Sequence, residues 1–210
     1  MDFSIERRYL EKGFRLVGGV DEVGRGAVAG PLFVGLAIFT KPYDMMDIFW
    51  TDSKMFSSEK KRRQIFMRLI NIPGFLWTVG WVDAWEIDEK GIMWALGEAL
   101  NRALDKLHET YRPTLLLTDG KVPFPGIAIP QRTLIKGDRK SPSIAAASIV
   151  AKVIRDIYVA SIGELLDYGV VSNKGYGTKA HMGKIKELGM SRWHRKSFLK
   201  KLREEGGGYG

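Results

Sequence analysis

Short, continuously apolar runs alternate along this chain with longer stretches in which apolar residues recur every three or four positions. The short runs are rich in valine, isoleucine and aromatics and predict strands at Arg15–Val20, Leu32–Phe39 and Leu76–Val82. Leu115–Thr118 is a fourth, with the unbroken character of a strand buried on both faces, and Ile127–Ile135 is a candidate fifth. The longer period predicts helices. Ser58–Ile70 opens on a serine and sets Ile65, Phe66, Leu69 and Ile70 on one side, while Ile92–Leu107 repeats Leu96, Leu100, Ala103 and Leu107. Ser141–Tyr168 is the longest; Ser141 can cap it, and Pro142 fits the first helical position, where a missing N–H costs nothing. Beyond Tyr168 the pattern turns glycine-containing and basic, with short helices expected near Lys179–Leu188 and His194–Glu205.

Strands first, then strands alternating with helices, predict an α/β domain built on a mixed sheet flanked by helices. The expected division is a catalytic-sized domain at 1–168, a basic helical extension at 169–205, and a flexible glycine-rich tail at 206–210. A chain of 210 residues, 45% apolar and 27% charged, suits one substantial core. No apolar run reaches the about 18 residues that span a bilayer, and Met1–Phe14 is too charged for a signal peptide, so a soluble, cytoplasmic protein without a membrane partner is expected. The absence of cysteine excludes disulfides, thiolate metal sites and a cysteine nucleophile, and three histidines leave little room for zinc. Asn and Gln together number five, a depletion that thermophilic proteins share and that compositional bias also produces.

Charge narrows the function. The net charge is +9, and residues 172–203 alone hold ten Lys/Arg against one acid, Glu187, so the rest of the chain is neutral. The plain reading of such a run is a solvated helical face. Tyr176, Trp193 and Phe198 interleave with it, however, a combination that suits phosphate contact with stacking and points to a nucleic acid.

Three acidic positions sit where chemistry is commonly placed. Asp21-Glu22 closes the first predicted strand ahead of Gly24-Arg25-Gly26, and Asp119-Gly120 closes Leu115–Thr118. Sites in open α/β sheets form outside the carboxyl ends of strands. Each pair also has a purely structural reading, as a polar strand exit or a turn dipeptide. Asp138 lies just ahead of the helix start at Ser141, where a nearby anion gains about 0.3–1 kcal/mol whether or not it is functional. Asp156 is deep in that helix, about 22 Å from its start at the helical rise, so it and Asp138 should not share a site. An all-carboxylate set favours a hard ion, Mg2+ or Mn2+, and two such ions about 3.5–4 Å apart bracket a phosphodiester.

At this point the motifs become specific. Gly19-Val20-Asp21-Glu22-Val23-Gly24-Arg25-Gly26-Ala27 with Ala29-Gly30-Pro31-Leu32 resembles the opening signature of the ribonuclease HII family. In family order there follow Asp52-Ser53-Lys54, Thr118-Asp119-Gly120, Lys136-Gly137-Asp138, the Ser143–Val153 run ending in Arg155-Asp156, Lys174-Gly175-Tyr176-Gly177-Thr178, and His194-Arg195-Lys196-Ser197-Phe198. The resemblance spans roughly residues 14–200 and implies a ribonuclease-H-like mixed sheet with a C-terminal helical extension. It implies an endonuclease that cuts 5′ to ribonucleotides in duplex DNA, single misincorporated ones included, and cuts the RNA of RNA–DNA hybrids, leaving 5′-phosphate and 3′-hydroxyl ends. The family's metal ligands match Asp21, Glu22, Asp119 and Asp138, which would hold two Mg2+ or Mn2+ ions. Gly24, Arg25 and Gly26 match the motif that meets the ribose 2′-hydroxyl and neighbouring phosphates. Tyr176 matches the tyrosine that stacks on the following deoxyribose, and Lys54 a basic position near the backbone.

Departures from the family pattern are few. Met55-Phe56 follow Lys54 where relatives have Lys-Leu, Asn173 stands for a histidine, and Ser191-Arg192-Trp193 replaces a proline turn. The tail does not resemble a sliding-clamp-binding peptide, and a monomer is expected. A nucleic-acid-binding protein on an inactive scaffold, and a hybrid nuclease of the same fold group, are the competing classes.

Overall fold

A computed structural model of the chain describes residues 1–41 and 58–200. Its strands are β1 (Val17–Val23), β2 (Leu32–Phe39), β3 (Phe75–Val82), β4 (Leu115–Asp119) and β5 (Gln131–Leu134). Among the described residues they form one sheet in the order β3-β2-β1-β4-β5. The first three run as an antiparallel meander, and β4 and β5 add in parallel on the far side of β1, so the sheet is mixed, as the pattern predicts. The helices are α1 (Ser4–Leu10), α2 (Glu59–Leu69), α3 (Ala84–Lys90), α4 (Ile92–Leu104), α5 (Pro142–Ala160), α6 (Val170–Asn173) and α7 (Lys179–Leu188). None among the described residues is long and apolar enough to cross a membrane. The tail expected at 206–210 lies outside the described residues.

The two faces of the sheet carry one major helix each. On one face α4 covers Val20, Leu32, Val34, Leu36 and Val82; on the other, α5 and α2 cover Ala37, Phe39 and Phe75. Both α4 and α5 approach the sheet at backbone distance. A Cβ on Gly80 would overlap the carbonyl oxygen of Ala99 in α4, and one on Gly19 would overlap the carbonyl group of Ser143 in the first turn of α5. Only a residue without a side chain fits at either crossing, and the Ala145-Ala146-Ala147-Ser148 run of α5 is small for the same reason.

Helix starts follow the sequence signals. The Ser58 hydroxyl accepts from the Lys61 N–H at 3.2 Å, and the Ser141 hydroxyl accepts from the Ile144 N–H at 3.2 Å. The Ser141 hydroxyl also donates to Glu6 Oε1 at 2.6 Å, and the Ser143 N–H reaches the same oxygen at 3.1 Å. Thus α1, which the pattern does not predict, brings a buried carboxylate to the positive end of α5. Two more helices, α3 and α6, are also unpredicted; α3 has a legible signal, since the Asp83 N–H donates to Glu86 Oε2 at 3.0 Å, one half of a capping box.

Several boundaries differ from expectation. β1 does not end at Val20: β2 pairs with it through Asp21, Glu22 and Val23, so the acidic pair lies inside the strand. Pairing with β4 does stop at Val20–Thr118, which leaves that edge of β1 open beside the acids. β5 is shorter than Ile127–Ile135, since Pro130 has no N–H for the ladder. The helix expected to reach Tyr168 stops at Ala160, where the Ser161 hydroxyl donates back to the Tyr158 carbonyl at 2.7 Å; a 3-10 segment, Gly163–Tyr168, follows. In place of a helix at His194–Glu205, the described part has a 3-10 turn at Lys196–Phe198, held by Asp88, which accepts from the Lys196 and Ser197 N–H groups.

Replacing Gly80 with alanine should destabilise the fold by about 3 kcal/mol, the upper range for overpacking against backbone. A urea titration with an unchanged midpoint would show that the α4 crossing is not as close as described.

Candidate active site

Topology collects the acids. β1 and β4 are parallel neighbours in the register Val20–Thr118, so Asp21 and Asp119 are the next residues on the two strands and share a face. That face looks onto α5. Asp21 is buried, and its Oδ1 accepts from the Glu22 N–H at 2.9 Å. Burial pushes its carboxyl up to about 7, and the Glu22 and Asp119 carboxylates push in the same direction, against the Ser148 hydroxyl and the Lys152 ammonium of α5. Lys152 in turn donates to the Ser148 hydroxyl at 2.6 Å.

Glu22 points to the opposite side of the strand and pairs with Arg25 at 3.5 Å. With Asp119, Arg25, Met93, Lys121 and Phe124 it lines an open cavity of about 290 Å³. Asp119 Oδ1 accepts from the Gly137 N–H at 2.7 Å, which fastens the 3-10 turn Gly137–Arg139 to the end of β4 and places Asp138 next in line. All four predicted acids therefore come to the same end of the sheet. Among the described residues, no three His, Asp or Glu side chains close to the spacing of ligands around one ion. Asp156 lies elsewhere, paired with Arg62 at 3.6 Å. The donor set fits a hard divalent cation: it is all oxygen, and Asp21 is a buried carboxyl whose ionisation is opposed by burial and by its acidic neighbours, a local shortage of positive charge.

Beside the acids stands a second group. The Tyr176 hydroxyl accepts from the Gly24 N–H at 3.2 Å, which joins the first glycine of Gly24-Arg25-Gly26 to a residue 152 positions away. Gly24 has φ +80°, and a Cβ there would overlap Arg155 Nε. Gly26 has open space around it. Arg25 and Tyr176 are solvent-accessible, and Lys54 lies outside the described residues.

Arg155 and Arg195 are buried neighbours of this group to which the sequence assigns no role. Both are fully buried. Arg155 donates to the carbonyls of Pro31 at 2.9 Å and Lys174 at 2.8 Å, and lies over the Tyr176 ring at 5.6 Å. Arg195 donates to the carbonyls of Gly30 and Arg25. Burial, then the nearby Arg155 guanidinium, pushes Arg195 down to about 9. Helical spacing carries the signal for Arg155, because Ala151 and Val159, one turn to either side, are both buried. Arg195 is hidden among the surrounding basic residues.

The basic segment is used in two ways. Lys174 pairs with Glu59, Lys184 with Glu187 and Arg192 with Glu164, while Arg195 is internal. Lys179, Lys186, Lys196 and Lys200 make no ion pair among the described residues. Trp193 is partly buried against the cluster that includes Ala29, Val159 and Ile185, and Arg192 covers its ring at 5.5 Å. Asn173, a departure from the family pattern, accepts from the Gly175 N–H at 2.8 Å and donates to the Tyr168 carbonyl at 2.6 Å, so it shapes the turn before Tyr176.

A mixed sheet of this order, with carboxylates gathered at the ends of adjacent parallel strands, defines a hydrolase of the ribonuclease-H-like class. The family model for ribonuclease HII matches residues 18–201. The ribonuclease HII of Caldicellulosiruptor saccharolyticus is 40% identical over 201 residues, 95% of either protein. The crystal structure of ribonuclease H2 from Pyrococcus horikoshii OT3 matches with a TM-score of 0.68 at 25% identity, covering 90% of this chain and 98% of that one. A Bst ribonuclease HIII in complex with Mn2+ shares the fold at a TM-score of 0.57 and 17% identity, covering 90% of this chain and 70% of that one. The chain belongs to the ribonuclease HII family, nucleases that cleave RNA in RNA–DNA hybrids.

The raised pKa of Asp21 has a definite sign. The folded protein holds this proton more tightly than the unfolded chain, so the stabilisation is complete below about 3.8 and is lost as pH rises through about 7. Asp21→Asn should therefore melt about 5 °C above the parent at pH 8 in chelator and converge with it near pH 4, as read by calorimetry. Parallel melting curves at both pH values would contradict the environment described for Asp21.

Proposed function

We propose that this protein hydrolyses the phosphodiester 5′ to a ribonucleotide in duplex DNA, a single misincorporated one included, as well as the RNA of RNA–DNA hybrids. Its role would be ribonucleotide excision repair, with 5′-phosphate and 3′-hydroxyl products. The observation that carries this reading is the Tyr176–Gly24 hydrogen bond beside the acids, because it unites two sugar-reading elements with the hydrolytic end of the sheet.

Asp21, Glu22, Asp119 and Asp138 are the residues that would hold two divalent ions, Mg2+ or Mn2+. Such ions, when bound, supply charge neutralisation at the scissile phosphate and a water of lowered pKa. The chain's own residues do the selecting. Gly24, Arg25 and Gly26 meet the 2′-hydroxyl and adjacent phosphates, and the open space around Gly26 leaves its backbone accessible to a sugar. A site built to hydrogen-bond a hydroxyl rejects the analogue lacking it by as much as about 10⁴–10⁵-fold. Tyr176, whose ring is held from behind by Arg155, stacks on the next deoxyribose, where a 2′-oxygen would clash. Lys54 and the exposed lysines Lys179, Lys186, Lys196 and Lys200 of the 169–205 extension contact the duplex backbone. The protein acts as a monomer in the cytoplasm.

Two outcomes test this reading. Asp119→Asn should lower Mg2+-dependent cleavage of a duplex with one ribonucleotide by about 10³-fold while leaving binding of that duplex intact; undiminished turnover would remove the ion site. Lys179→Ala combined with Lys186→Ala should reduce the slope of log affinity against log salt by about 2, close to one unit for each phosphate no longer neutralised. An unchanged slope would place the duplex on another face.

A further inference from the structure

Two of the three histidines meet in the interior, away from the acids. His181, on α7, and His194 are both buried, with their Nε2 atoms 3.1 Å apart. Only one proton can occupy that contact, and the flanking bonds decide which ring carries it. The Ser191 N–H donates to His194 Nδ1 at 2.9 Å, and the Ser191 hydroxyl is 3.0 Å from the same nitrogen. That nitrogen is therefore an acceptor, and the His194 proton sits on Nε2, from which it is donated to His181 Nε2. His181 must then carry its own proton on Nδ1, and this proton is donated to the Tyr176 carbonyl at 2.9 Å. The result is a directional chain running from Ser191 through both rings to Tyr176. Burial, then the facing His181, pushes His194 down to about 4, so the His194 ring stays neutral at ordinary pH. Tyr168 encloses the two rings edge-on, at 4.7 Å from His194 and 6.1 Å from His181.

The chain ends on the residue that reads the deoxyribose. Tyr176 is held at both extremities, with its hydroxyl on the Gly24 N–H and its carbonyl on the His181 ring and the Thr178 N–H. A buried polar chain in which every nitrogen has a partner permits one arrangement and penalises others, because a rotated or differently protonated ring leaves a donor or acceptor unpaired. We propose that His181 and His194 are positioning residues that fix Tyr176 against Gly24 and so set the preference for an RNA–DNA junction. This rests on the reading of Tyr176 given above. Neither ring touches substrate; both act through the Tyr176 backbone.

The test compares kcat/KM on a duplex with a single ribonucleotide and on a uniform RNA–DNA hybrid. His181→Ala removes the donor to Tyr176 and should lower the single-ribonucleotide value by about 10–100-fold, the scale of a misplacement near 1 Å, with the hybrid value far less affected. His181→Asn puts an amide N–H where the ring Nδ1–H stands and should restore most of the loss. A wild-type ratio in His181→Ala, or an Asn variant no better than Ala, overturns the proposal. Tyr176→Ala tells the two readings apart. If it keeps the junction preference, Tyr176 is not the reader and the positioning role falls with it. If it loses the preference while His181→Ala keeps it, the histidine pair alone is refuted. Nitrogen-15 NMR of the unmodified chain does not depend on any variant folding: neutral rings with the proton on Nδ1 of His181 and on Nε2 of His194 support the chain, and any other assignment overturns it.

Discussion

The contact on which the rest of the molecule depends is the crossing of α5 over β1, made at backbone distance through Gly19. A helix of 19 residues laid that closely on the central strand can serve the site along much of its length. Its first turn is next to Asp138; Ser148 and Lys152, farther along, moderate the Asp21 carboxyl; Arg155, farther again, supports Gly24 and Tyr176. A shift of this helix would disturb the acids and the Gly24–Tyr176 group together. The small side chains at the crossing therefore constrain both stability and chemistry.

Electrostatics divides the molecule into two regions of opposite deficit. Asp21 sits among acids and resists ionising, whereas Arg155 and Arg195 are buried cations whose hydrogen bonds go to backbone carbonyls. An isolated buried charge is expensive, and each guanidinium offsets that cost by satisfying several carbonyls of the Arg25–Pro31 loop and the Lys174 turn. The arginines thereby tie sequence-distant loops together, a task for which lysine, with its single flexible ammonium, is poorly shaped.

Much of this is legible from residue order. The apolar run at Leu32–Phe39 predicts β2 at its observed ends, and Ser58 and Ser141 mark their helix starts, because local periodicity and caps depend only on near neighbours. The acids are legible as carboxylates close to strand ends. The position of Asp21 and Glu22 within β1 is not, since that depends on how far β2 extends its pairing. The histidine pair is illegible because the 13 positions separating its members acquire meaning only once α7 packs against the following loop. Arg195 misleads by composition: within a basic run it counts as surface charge, yet it is completely enclosed.

The Glu6–Ser141 bond joins residues 135 positions apart, and the Arg195–Arg25 bond spans 170. Both have a consequence for synthesis on the ribosome. The segment bearing the first two acids emerges early, but its supporting partners emerge late. A nascent chain stopped before residue 195 lacks the clasp that holds its Arg25–Pro31 loop. The loop therefore takes its final form only once residue 195 has been made, and a product terminated before it carries Asp21 and Glu22 beside an unclasped loop.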